Sequence, residues 1–242
     1  MSTSFRLGSV PVLRALAVVT ASALLLTLGP ALRAQAQTTP PDRTDLEFAC
    51  PDEEVPDDSG FTDIAGNNFE GAIECLVYYG VTTGVTATTY EPFLTVNRAQ
   101  MATFFARLVD YAELNGLTGL PDYDGTNDFT DVGDPTHLES INRLSQAGIV
   151  QGGPGGLPET QYGPGQPVNR AQMASFINRV QGYLQGEDLD GDAYGFATDD
   201  TFFPDLAGTA PHTDNINAIA SVGITQGDTA GNYNPGNSTV RG

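Results

Sequence analysis

The chain has no lysine and no tryptophan, two cysteines, two histidines, and ten arginines against thirty acidic residues. Each shortage excludes something. A formal charge of −20 is the wrong balance for bulk electrostatic attachment to nucleic acid or an anionic membrane surface, since both must be met by clustered cations. Two histidines with no cysteine at ligand spacing do not make a metal site, and no cofactor is expected. No phosphate-binding loop is present, and the 28 glycines sit in turns. No serine or cysteine recurs beside the histidines as a catalytic triad would require. Catalysis is therefore not expected of these residues.

Only the N-terminus carries a long apolar run. Residues 15–32, "ALAVVTASALLLTLGPAL", follow Arg6 and Arg14 and precede "AQA" at residues 34–36. That is the layout of a signal peptide over residues 1–36. The run also approaches the length of a membrane anchor, but its small residues and Pro30 favour cleavage. Once cleaved, the chain has no expected membrane contact. It leaves the cytoplasm with seven arginines against thirty acids, a net of −23. In an exported protein Cys50 and Cys75 read as a disulfide. Its loop of about 25 residues contributes roughly 3 kcal/mol on the chain-entropy model. Residues 37–60 read as an extended leader of low order.

What the chain has in abundance is self-similarity. Units open at "FTDI" (Phe61), "FTDV" (Phe129) and "FPDL" (Phe203). Ile73, Ile141 and Ile216 are each followed seven residues later by Gly80, Gly148 and Gly223. Tyr90, Tyr162 and Tyr233 each stand two residues before a proline, and each proline stands six before Arg98, Arg170 or Arg241. The units divide the chain into repeat 1 (61–111), an acidic linker (112–128), repeat 2 (129–183), a second acidic linker (184–201) and repeat 3 (202–242), which is truncated. Each unit reads as helix, loop, helix. The first helix carries Ile73, Leu76 and Val77 in repeat 1, or Ile141, Leu144 and Ala147 in repeat 2, and ends at the glycine as a left-handed cap. The second starts at "NRAQ", with Asn97 as N-cap and Gln100 completing a capping box. Met101, Phe104, Phe105, Leu108 and Val109 then form an apolar stripe, repeated by Met173, Phe176, Ile177 and Val180, which reads as core. Asp188, Asp190 and Asp192 have calcium-loop spacing, but Ala193 and Asp199 replace the expected Gly and Glu, so a solvated linker is the simpler reading.

The arginines pose the question. A cation in the first helical turn opposes the helix dipole, yet Arg98, Arg170 and Arg241 all stand there. One explanation is structural: each bonds a carboxylate such as Asp63, Asp131 or Asp205. The other is that helix-start amides and an arginine fork together receive an acidic ligand. Physical chemistry alone leaves both open.

These motifs resemble S-layer homology repeats. The Phe-x-Asp starts, the turns "GVTTG", "GIVQG" and "GITQG", and the helix starts "NRAQ", "NRAQ" and "VRG" carry the resemblance over nearly all of residues 61–242. It implies an all-α fold, three helix-loop-helix repeats in a pseudo-threefold bundle with long loops. It also implies non-covalent anchoring at the bacterial cell wall through an acidic secondary polysaccharide. The acid-binding candidates are then Arg98, Arg170 and Arg241, and the groove candidates Gly84, Gly152 and Gly227. The chain departs from the family in having Asn for Thr before Arg98 and Arg170. It also lacks the tryptophan that would stack on sugar, leaving "FE", "HL" and "HT" at Phe69, His137 and His212; the histidines read as capping or packing residues. Two alternatives remain open: the wall anchor of a larger secreted enzyme such as a hydrolase, and a purely structural protein that self-assembles into an external layer.

Overall fold

The computed structural model describes residues 50, 59–189 and 194–242. The signal peptide, most of the leader, and Asp190 and Asp192 of the acidic motif lie outside them. The described residues form five α-helices: α1 Glu70–Tyr78, α2 Arg98–Leu114, α3 Pro135–Gln146, α4 Arg170–Leu184 and α5 Thr213–Ser221. A single 3₁₀ turn, Pro154–Gly156, lies in the loop of repeat 2. Among these residues there is no sheet, only three isolated β-bridges, so the all-α expectation holds.

Local chemistry sets the boundaries. The Asn97 side chain accepts from the Gln100 amide at 2.9 Å, and the Gln100 side chain accepts from the Asn97 amide at 3.2 Å. Asn169 and Gln172 repeat the reciprocal pair at the start of α4. Asp134 caps α3 by accepting from Thr136 N at 2.9 Å, ahead of Pro135 in the first turn. The first helices stop at Gly80, Gly148 and Gly223, where φ lies between 70° and 75°, a conformation costly for residues with a Cβ.

Helices pair across repeats rather than within them. α2 packs on α3, and α4 packs on α5. The predicted stripes become core: Val109, Ile141, Leu144, Tyr162 and Val168 are fully buried, and Phe105 and Phe176 meet at 6.0 Å between ring centroids. The stripe expected in α1 is only partly realised. Ile73 is buried, but Leu76 is 37% exposed, because no described helix packs on α1 as α2 packs on α3.

A ring of main-chain hydrogen bonds closes the fold. Val168 N donates to Val96 O, Thr239 N to Val168 O and Val96 N to Thr239 O, at 2.8 to 3.0 Å. The bridges Asn97↔Pro167, Asn169↔Ser238 and Thr95↔Val240 follow the same cycle. Repeat 1 thus binds repeat 2, repeat 2 binds repeat 3, and repeat 3 returns to repeat 1. The loops between repeats are fastened as well. Arg143 of α3 holds Asp110 through two N–H groups at 2.8 and 3.2 Å and donates to Pro121 O, while Leu120 is buried. Cys50 and Cys75 are bonded, with Cα atoms 5.6 Å apart, tying the leader to α1.

Candidate functional site: the clefts between repeats

The three helix-start arginines occupy equivalent places in this cycle. Arg98 Nε donates to Tyr162 O at 2.8 Å and Nη2 to Gln151 O at 2.9 Å, and its guanidinium lies 4.3 Å from the Tyr162 ring centre. Arg170 donates to Tyr233 O at 2.8 Å and Gln226 O at 3.0 Å, over the Tyr233 ring at 4.4 Å. Arg241 lies 4.7 Å over Tyr90, but its Nε and Nη2 are buried without hydrogen-bond partners. Each tyrosine hydroxyl returns a bond to the arginine carbonyl: Tyr162 to Arg98 at 3.0 Å, Tyr233 to Arg170 at 2.9 Å, and Tyr90 to Arg241 at 2.9 Å.

Two parts of the sequence reading change here. The carboxylates of Asp63, Asp131 and Asp205 do not bond the arginines. Each accepts two amides of its own repeat at the Tyr-x-Pro turn, as Asp131 does from Tyr162 N at 2.8 Å and Gly163 N at 2.9 Å. The amide bonds from Tyr90 and Glu91, the former the stronger, hold the Asp63 carboxyl below the usual carboxylate range. Asp131 is still near enough to Arg98 to favour its charge, and Asp63 and Arg241 attract likewise.

The helix-start amides are also occupied. Arg98 N donates to Gln166 O, Ala99 N to Pro164 O, and Gln100 N to the Asn97 cap. The next repeat does the same through Arg170 N to Asn237 O and Ala171 N to Pro235 O. No free amide cradle remains for an anion. The dipole penalty is met by carbonyls and an aromatic face of the neighbouring repeat.

The structure pairs Arg98 and Arg170 with the glycine turn of the following repeat. Gln151, whose carbonyl takes Arg98, precedes Gly152; Gln226, whose carbonyl takes Arg170, precedes Gly227. Arg241 is stacked on Tyr90 but, among the described residues, makes no such carbonyl bond to the loop that holds Gly84. Gly152 is sterically required: a Cβ there would lie 1.8 Å from Glu159 O. Arg98 and Gly152 line a cleft of about 390 Å³ with Ser175, Phe176, Arg179 and His212, within the size range of small-ligand sites. Burial pushes the Arg98 guanidinium pKa down and lifts the Tyr162 hydroxyl to about 12.

His212 shares a hydrogen bond with Ser175 Oγ through Nδ1 at 2.8 Å, and Asn215 Nδ2 donates to the same Oγ at 3.0 Å. A serine–histidine pair in a cleft invites a catalytic reading. The preceding interface gives it a structural explanation, because His137 Nδ1 and Thr103 Oγ1 make the equivalent 2.8 Å contact. Both histidines join the first helix of one repeat to the second helix of the repeat before. The Tyr-x-Pro register is plain in the sequence but the tyrosine's role is not; its constant distance from the arginine is the available signal.

Three repeats closed in a ring, with clefts walled by neighbouring repeats, define a cyclic repeat module. The profile of the S-layer homology domain matches residues 60–102, 128–174 and 202–242, more than half of the chain, which therefore belongs to that family. The chain is also similar to a cell surface protein of Thermoanaerobacter kivui, 33% identical over 117 residues that cover 48% of this chain and 14% of that protein. Membership makes these repeats a module of the kind that anchors proteins at the cell surface or wall and binds cell-wall polymers. Among the described residues no helix is long and apolar enough to cross a membrane.

Proposed function

We propose that the module anchors its protein by binding an acidic secondary cell-wall polysaccharide in the clefts between repeats, with Arg98, Arg170 and Arg241 facing the acidic group. In this reading Gly84, Gly152 and Gly227 let the turns lie close enough to form each cleft wall. The observation that carries it is the state of the Arg98 guanidinium. Among the described residues only two of its five N–H donors are engaged, both by neutral carbonyls, and it lines the cleft with no ion pair. A buried cation so placed has donors to spare, and an arriving carboxylate or ketal acid adds a directly bonded opposite charge through a hydrogen-bonded fork. Arg170 is more open than Arg98 and repeats the arrangement.

Cosedimentation tests this without relying on a mutant that could unfold. The purified protein is mixed with walls of the producing organism before and after acid extraction of their secondary polysaccharide. Retention by intact walls, weakening as salt rises, and its loss on extracted walls is expected. Equal retention by extracted walls would overturn the proposal.

A further inference from the structure

The loop between repeats 2 and 3 brings an aromatic side chain, Tyr194, to the wall of the Arg98 cleft. We propose that Tyr194 is the saccharide-stacking platform of the Arg98 cleft. This rests on the reading above and assigns the cleft a second subsite, for a neutral sugar next to the acidic one.

The observations are geometric. Tyr194 lines the 390 Å³ cleft with Arg98 and also a larger cavity of about 930 Å³ beside it. Gln151, Arg179, Tyr194, Pro211 and Asn215 line both, so the two spaces adjoin and are taken together as one trough. Tyr194 is partly buried, and the main chain of its turn is fastened. Asn178 Nδ2 donates to Tyr194 O at 3.0 Å, and Asn178 Oδ1 accepts from Phe196 N at 2.8 Å. Gly195 N donates to Glu187, closing the other side of the turn. Arg179 Nε reaches the Tyr194 hydroxyl at 3.3 Å, and its guanidinium lies 5.9 Å from the ring centre.

An aromatic ring on a fastened turn, its hydroxyl met by a cation, is an arrangement that receives the C–H face of a pyranose with little backbone ordering on binding. Beyond the ring, the larger cavity carries Asp199, Asp200 and Asp214. These carboxylates accept hydroxyl hydrogens and repel a second acid. The trough therefore grades from cationic at Arg98 to anionic at Asp199 and fits an oligosaccharide with its acidic unit at one end. Gly195 explains how so tight a turn is reached: its φ is 64°, and a Cβ would lie 2.4 Å from Asn178 O.

The test uses polysaccharide released from the walls, titrated into wild type, Tyr194→Ala, Tyr194→Phe and Tyr194→Trp. Loss of the ring is expected to weaken binding about five- to tenfold, with the phenyl variant within about twofold of wild type. Because the chain has no tryptophan, Tyr194→Trp installs a lone indole, whose emission is expected to shift as polysaccharide binds. If Tyr194→Ala binds as wild type does, or the indole emission is unchanged while polysaccharide is bound, the platform is overturned and the anchoring reading survives. If wild type itself binds no polysaccharide, both fall.

Discussion

Arg98 and Tyr162 clasp each other across the boundary between repeats 1 and 2: Nε of the arginine donates to the tyrosine carbonyl at 2.8 Å, and the tyrosine hydroxyl donates to the arginine carbonyl at 3.0 Å. Both residues are buried, and the guanidinium also stacks on the ring. The clasp therefore braces the interface whatever the cleft binds. Arg98→Ala removes two charge-assisted bonds and leaves the Tyr162 and Gln151 carbonyls without those donors, a loss of about 3 kcal/mol. Arg98→Lys is expected to recover little of it, because one ammonium cannot reproduce the planar fork. Urea unfolding followed by circular dichroism measures both, and a loss below about 1 kcal/mol for Arg98→Ala would contradict the clasp.

Arg241 makes the contrast that isolates the hydrogen bonds. Its ring contact with Tyr90 matches that of Arg98 with Tyr162, but its Nε and Nη2 are unpartnered. Removing it relieves two buried orphan donors instead of breaking two bonds. Arg241→Ala is accordingly expected to cost at least about 1 kcal/mol less than Arg98→Ala under the same urea protocol. Equal losses would mean that ring stacking, not carbonyl bonding, carries the arginine's contribution.

Tyr162 gives the interface a pH dependence. Its hydroxyl is raised from the ordinary value of 10 to about 12, chiefly by burial, with Arg98 pulling the other way. A raised acid is kept neutral by the fold. Its contribution is whole below pH 10, where both states are protonated, and is lost between about 10 and 12 as the unfolded chain ionises first. Burial also raises Tyr90 and Tyr233, so all three interfaces weaken in the same direction. Unfolding midpoints at pH 8 and pH 11 should fall more steeply for wild type than for Tyr162→Phe. Parallel curves would refute the coupling.

The repeat register, caps and core stripes were legible because they depend on local rules: an asparagine three residues before a glutamine, an apolar period of 3.6, a glycine after the last helical turn. Which repeat each arginine served was not. Arg98 sits 64 residues from its partner Tyr162 in the chain, and only the cyclic closure at Val96, Val168 and Thr239 brings them together. The acidic inserts misled for a related reason. Leu120 and Tyr194 look like isolated hydrophobics in polar loops, and nothing local reveals that Arg143 or Asn178 will fasten those loops down. Leu76 shows the converse, an apolar position in register whose helix partner is absent from the described residues.

The Cys50–Cys75 bond encloses 25 residues of sequence separation and spans the start of repeat 1. On the loop-entropy estimate its reduction costs about 3 kcal/mol, falling on the small cluster of Ile64, Ile73 and Tyr90 rather than on the large core around α2 and α3. Hydrogen exchange with and without reductant is expected to show faster exchange in α1 and little change in α4. Uniform acceleration would mean that the repeats unfold as one unit and the disulfide braces them all.

Gly152 and Gly227 hold the same place in successive turns but differ in what surrounds them. A Cβ at Gly152 would meet Glu159 O at 1.8 Å, main-chain atoms that cannot step aside, whereas at Gly227 the nearest atoms stand at 3.1 Å. Gly152→Ala must therefore shift the loop and is expected to cost several kcal/mol, against roughly 1 kcal/mol or less for Gly227→Ala. Thermal unfolding ranks the two directly. The ranking also decides which variant informs on the wall ligand. Lost binding in Gly152→Ala follows from a displaced loop, while lost binding in a folded Gly227→Ala points to a methyl standing where the polysaccharide must lie. Full wall binding by Gly227→Ala would remove that glycine from the cleft surface and leave it a packing role against Phe203 and the Asn232 carbonyl.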